Sequence, residues 1–161
     1  MRYLKSFENY NFDEYVLGSG ETVILNKNHV HNNVWPNLKE ALLKVDSGGK
    51  GFIKTEVQFD HVIGVSHCVE VTEDDEIYYK KRTNRKKASK MVAKREPTPC
   101  NKITVILIRR SGGYRLITAY IGGLSEPEIW DNRAFQNAPD FRIAKQKSID
   151  FWDKHALIEE L

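Results

Sequence analysis

Two histidines (His61 and His67), two arginines (Arg82 and Arg85) and the pair Thr118 and Tyr120 are the residue types in this chain that could do phosphodiester chemistry. Metal-free cleavage of RNA needs a base for the 2′-hydroxyl, an acid for the leaving 5′-oxygen and a cation for the phosphorane charge. Histidine suits the first two roles because it titrates near neutrality. Arginine suits the third because its fork matches phosphate. On this reading His61 is the general base or acid, Arg82 and Arg85 hold the scissile phosphate, and Thr118 and Tyr120 position it. His67 and His155 are the alternative acid–base groups. The set asks for no cofactor and no metal: His29 and His31 could form half a metal site, but no cysteine or carboxylate stands at ligand spacing.

Each residue also has a plainer reading. His61 follows Phe59 where strand periodicity would place a core residue. Thr118 and Tyr120 are ordinary strand formers. His155 lies within a turn of Phe151, Trp152 and Leu157, which read as packing residues.

The charge distribution supplies the second signal. Residues 80–95, KKRTNRKKASKMVAKR, carry nine Lys/Arg and no acid, so the remaining chain holds 16 basic against 22 acidic residues, a net −6, although the whole is only +3. Concentrated positive charge is the footprint of polyanion binding. Lys80, Lys81, Lys86, Lys87, Lys90, Lys94 and Arg95 are the expected RNA contacts. No phosphate-cradling loop accompanies them, since Gly18-Ser19-Gly20 lacks the lysine and helix of a P-loop.

These groups must be positioned by a single domain, 161 residues being too few for two comfortable ones. Residues 1–35 form a weakly periodic strand or loop preamble, 36–123 the core, and 124–161 a loop and a C-terminal helix. Leu38, Ala41, Leu42 and Val45 repeat at helical spacing after Pro36, and Gly48-Gly49 stops that helix. GFIKTEVQF alternates as a half-buried strand; CVEV and EIYY read as two more around the acidic turn TEDD. The basic block reads as a loop or short exposed helix. ITVILIRR-SGG-YRLITAYIGG is a β-hairpin, with Ile117, Ala119 and Ile121 toward a helix and Thr118 and Tyr120 on the open face. Phe141, Ile143, Ala144, Ile149, Trp152, Ala156 and Leu157 mark the apolar stripe of a closing helix running roughly from Phe141 to Leu161. The fold class is α+β: a helix, a mostly antiparallel sheet of about four strands, and a C-terminal helix.

The hairpin residues Tyr114 and Thr118-Ala119-Tyr120 resemble the final strands of bacterial toxin ribonucleases of the barnase–EndoU–colicin–RelE group, including RNase A-like and RelE-like toxins. The similarity covers about Gly51 to Gly123. It implies a helix, then a histidine on an early strand, then Arg or Lys, then Ser or Thr on a late strand. His61 or His67, Arg82 or Arg85, and Thr118 fall in that order. The chain departs from the pattern in its extension beyond the hairpin. The resemblance implies a toxin-like endoribonuclease acting on RNA, with an acidic antitoxin or immunity protein as a partner. The alternative from the same basic segment is a non-catalytic nucleic-acid-binding or regulatory module.

Two cysteines, Cys68 and Cys100, are too few for a disulfide scaffold and read as reduced thiols. No apolar run approaches the length of a membrane span, and the N-terminal residues show no apolar signal core. The expectation is a cytoplasmic protein with no membrane partner.

Overall fold

The computed structural model describes residues 14–81, 87–136 and 138–159. The chain is mixed α/β and dominated by sheet. The sequence reads as one domain; in the fold, contacts group the chain into two compact units, Met1–Ile63 with Asn101–Ile121 and Gly64–Cys100 with Gly122–Leu161. No described helix is long and apolar enough to cross a membrane.

The first unit is built on a four-stranded sheet. Its strands are β1 (Thr22–Ile24), β2 (Phe52–Gln58), β8 (Lys102–Arg110) and β9 (Gly113–Ile121), in the spatial order β1-β9-β8-β2. β8 and β9 form the expected hairpin. Gly112, at φ 76°, makes its turn. Gly113 serves a different purpose: a Cβ there would meet the Thr22 carbonyl oxygen at 2.4 Å, so its absence lets β1 pair in parallel with the start of β9. A strand therefore precedes the first helix, α1 (Trp35–Leu43), which buries Leu38, Ala41 and Leu42 as its spacing indicates.

The sheet's core face is made of Ile53 and Val57 on β2, Ile103, Val105 and Leu107 on β8, and Tyr114, Leu116, Ala119 and Ile121 on β9, all buried. The assignment of Ile117 to this face is wrong. A β-bulge interrupts the register, Ile106 pairing with Thr118 but Leu107 with Leu116, so Ile117 has no partner and is 38% exposed. An unpaired extra residue reverses the alternation on either side of it. That is how Tyr114 and Leu116 share a face with Ala119 and Ile121.

The second unit carries β4 (Cys68–Glu70), β5 (Ile77–Lys81), β6 (Ala88–Val92) and β10 (His155–Leu157) in the order β4-β10-β6-β5, with β3 (Gly64–Ser66) and β7 (Thr98–Cys100) as a separate antiparallel pair. Val69, Val92, Ala156 and Ile158 form its buried cluster. A short helix α2 (Asn132–Phe135) leads to α3 (Phe141–Lys154), whose first amides donate to the Asp140 carboxylate.

Two sequence expectations change here. Where it is described, the basic block runs mostly as strand rather than loop or helix: Tyr79, Lys80 and Lys81 pair with Lys90, Ser89 and Ala88. The closing helix also stops at Lys154. His155 to Leu157 instead lie extended between β4 and β6, where Ala156 is fully buried. Helical spacing in FWDKHAL is overridden by two neighbouring strands that need a partner for their main-chain groups. On α3 itself the buried positions are Ser148 and Trp152, while Ile143 is 58% exposed.

Candidate nucleic-acid interface

The β5–β6 hairpin sets its side chains on alternate faces. Tyr79, Lys81, Ala88 and Lys90 share one face; Tyr78, Lys80, Ser89 and Met91 share the other. The first face borders an open groove of about 520 Å³, lined by Tyr79, Lys87, Trp130, Lys145, Ile149 and Trp152, with Glu128 and Asp153 also on its walls. Tyr79 stands 68% exposed. An accessible phenol beside lysines is the equipment for stacking a base while its phosphates are held.

Much of the charge counted along the sequence is already engaged. Lys80 pairs with Glu159, which also accepts from the Tyr78 hydroxyl at 2.8 Å. The Lys90 ammonium donates to the Trp152 carbonyl oxygen at 2.7 Å. Lys94 faces Glu76 at 3.6 Å, and Arg95 donates to Asp75 at 2.8 Å. Backbone donation from Thr72, with the Arg95 guanidinium beside it, holds the Asp75 carboxyl below its usual range. The cause is local: the acidic turn before β5 folds back beside the end of β6, so part of the block's field is neutralised where it arises. Lys81 and Lys87 remain exposed. Arg82, Arg85 and Lys86 lie outside the described residues.

The expected catalytic groups are divided between the two units, with Arg82 and Arg85 outside the described residues. His61 follows the end of β2, with Nδ1 2.6 Å from the Asp60 carboxylate and its ring edge-on to Phe59. The His61 bond is the main cause that holds the Asp60 carboxyl below its usual range. Thr118 and Tyr120 lie on the face of the same sheet opposite the core residues, in rows with Ile106 and Lys54, and with Thr104 and Glu56; both are half-buried and Thr104 is fully buried. Phe59 is three positions beyond the Tyr120 row and two strands across. At about 3.3 Å per residue and 4.8 Å per strand, roughly 10 Å separates them in each direction. The end of β2, which His61 follows, thus stands well away from Tyr120 both along and across the sheet.

His67 and His155 belong to the other unit. The His67 carbonyl accepts from the Ile158 amide at 2.7 Å. The His155 ring stacks on Phe151, centroids 4.0 Å apart and planes within 3°, and its Nδ1 lies 2.8 Å from the Phe151 carbonyl oxygen. A carbonyl only accepts, so Nδ1 carries the proton. Cys68 is not disulfide-bonded, and burial pushes its thiol up to about 11, away from nucleophilic use.

Nothing in the sequence reading marks Tyr79, Trp130 or Lys145 as ligand-facing. Period-two alternation in EIYYKK could have flagged Tyr79, because it sets Tyr79 with Lys81 rather than with Tyr78. Trp130 and Lys145 reach the groove only through tertiary packing.

No family model matches this chain, and no curated protein matches it. Among solved structures, a conserved hypothetical protein from Toxoplasma gondii ME49 superposes with a TM-score of 0.46 at 12% identity, over 78% of this chain and 86% of that one.

Proposed function

We propose that this chain binds single-stranded nucleic acid, RNA in the first instance, along the β5–β6 hairpin. Bases stack on Tyr79, and phosphates lie against Lys81, Lys87 and Lys145. The observation that carries this reading is the exposed Tyr79 ring on the same strand face as Lys81, beside a groove lined by Lys87 and Lys145. An acidic antitoxin-like protein would compete for the same lysines. The test is fluorescence anisotropy with a short oligouridylate across a salt series. Tyr79→Ala should weaken binding by about 5- to 100-fold, the worth of one stacked base. Lys87→Glu or Lys145→Glu should flatten the salt slope by about 0.7 each. Salt-independent binding, or a Tyr79→Ala variant that binds like the wild type, would overturn it.

A second reading, metal-independent endoribonuclease, rests on the Asp60–His61 pair. A carboxylate on Nδ1 orients the imidazole and leaves Nε2 for proton transfer. Incubating RNA with the protein in EDTA tests it: His61→Ala should slow cleavage about a hundredfold. Unaltered cleavage by that variant would remove His61 from the mechanism.

A further inference from the structure

β2 is an edge strand: among the described residues β8 pairs with one side of it, and no strand pairs with the other. The Arg109 amide donates to the Gly51 carbonyl and the Phe59 amide to the Asn101 carbonyl, which fixes the phase of the ladder. Odd-numbered residues of β2 turn their main-chain groups toward β8, so Phe52, Lys54, Glu56 and Gln58 turn theirs to the open edge. An open groove of about 580 Å³ runs along this strand and the Lys44–Lys50 connection.

We infer that this edge pairs with the β2 edge of a second copy, antiparallel about a two-fold axis at Thr55, giving a continuous eight-stranded sheet from two four-stranded ones. The phase allows only registers that set even residues opposite even residues. Centring on residue 54 places Lys54 against its own copy, and centring on residue 56 does the same with Glu56; both oppose like charges. Centring on Thr55 sets Lys54 opposite Glu56 of the second copy, twice by symmetry. The same register aligns Ile53 with Val57 of the second copy on the core face, where both are buried within their own sheet. Edge lysines ordinarily guard a strand against pairing. Here the lysine has its complement two residues along the same strand, so among registers that overlap most of β2 the charges favour the one centred on Thr55. Glu56 already has the Lys102 ammonium 3.8 Å away, so in the dimer its carboxylate would lie between two lysines.

The test is sedimentation of the full chain, with circular dichroism to confirm folding. Wild type should show a dimer whose fraction rises with protein concentration. Lys54→Glu and Glu56→Lys should each weaken dimerisation about ten- to a hundredfold, by exchanging two attractions for two repulsions. The double variant Lys54→Glu/Glu56→Lys should restore it. A folded wild type that stays monomeric, or single variants that dimerise like wild type, or a double variant no tighter than the singles, would overturn the inference. None of these outcomes depends on RNA binding, so the two proposals fail separately.

Discussion

The ammonium of Lys90 lies 2.7 Å from the carbonyl oxygen of Trp152 and 3.4 Å from that of Asp153, so a cation from the basic block closes the C-terminal end of α3. Helix ends leave carbonyls without intrahelical donors and carry partial negative charge. Lys90→Met keeps the aliphatic stem and removes the donor. It should lower stability by about 1–2 kcal/mol in urea unfolding. The salt slope of RNA binding should stay at the wild-type value, in contrast to Lys87→Glu.

The indole of Trp152 donates to the carbonyl oxygens of Glu126 and Pro127 at 3.1 and 3.0 Å, fastening the loop before α2 to the helix. Two losses should separate in a pair of variants. Trp152→Ala removes a buried ring and should cost about 3–5 kcal/mol. Trp152→Phe retains most of the apolar contact and gives up the donor, so about 1–2 kcal/mol is expected. A Trp152→Phe variant as stable as wild type would mean that the hydrogen bonds contribute nothing.

Local patterns in the sequence are enough to place α1, β2, β4, β5 and the β8–β9 hairpin, because each writes its own periodicity. Features set by partners distant in sequence are not legible. Nothing in YRLITAY announces that Ile117 is a bulge, since the alternation on each side of it is regular. FWDKHAL reads as helix because only β4 and β6 make an extended His155–Leu157 favourable. A count of charges over residues 80–95 cannot show that Lys80 meets Glu159 or that Arg95 meets Asp75. The histidine, arginine and threonine order likewise says nothing of distance, and the roughly 10 Å offsets between the end of β2 and Tyr120 appear only in the sheet.

Asp75 gives a pH signature. Its carboxyl is held low by the Thr72 amide and the Arg95 guanidinium, so ionisation is favoured in the folded state. A depressed carboxylate contributes stability that is present above the unfolded value of about 3.9 and lost as pH falls through the lower folded value. Urea unfolding should therefore show wild type more stable than Asp75→Asn from pH 5 to 8, with the gap closing only below about pH 4. A gap that is constant down to pH 2 would assign the effect to something other than this ionisation.

His155 is held by its stack on Phe151 and by its Nδ1–H bond to the same residue's carbonyl. Both contacts are structural, so His155→Ala should cost about 1 kcal/mol. Any cleavage of RNA by the protein should continue at the wild-type rate. A variant that keeps its melting temperature while losing about a hundredfold in rate would make His155 an acid–base group instead.

The bulge at Ile117 leads to a deletion experiment with an unusual expectation. Removing one residue from a strand normally turns every following side chain to the wrong face. Here Ile117 is the residue without a partner, so its removal joins Leu116 to Thr118 in strict alternation. Tyr114, Leu116, Ala119 and Ile121 all stay on the core face, and Thr118 and Tyr120 stay outward. Deleting Ile117 should therefore shift stability by no more than about 1 kcal/mol, the scale of a local twist adjustment. Deleting Thr118 should be equally mild, because Ile117 can take its outward place. Deleting Ala119 instead moves Thr118 into the fully buried place of Ala119, so that variant should lose about 1–3 kcal/mol for the buried hydroxyl. Thermal unfolding of the three variants decides the matter: a chain that unfolds on loss of Ile117 would show that the bulge itself is needed for the sheet.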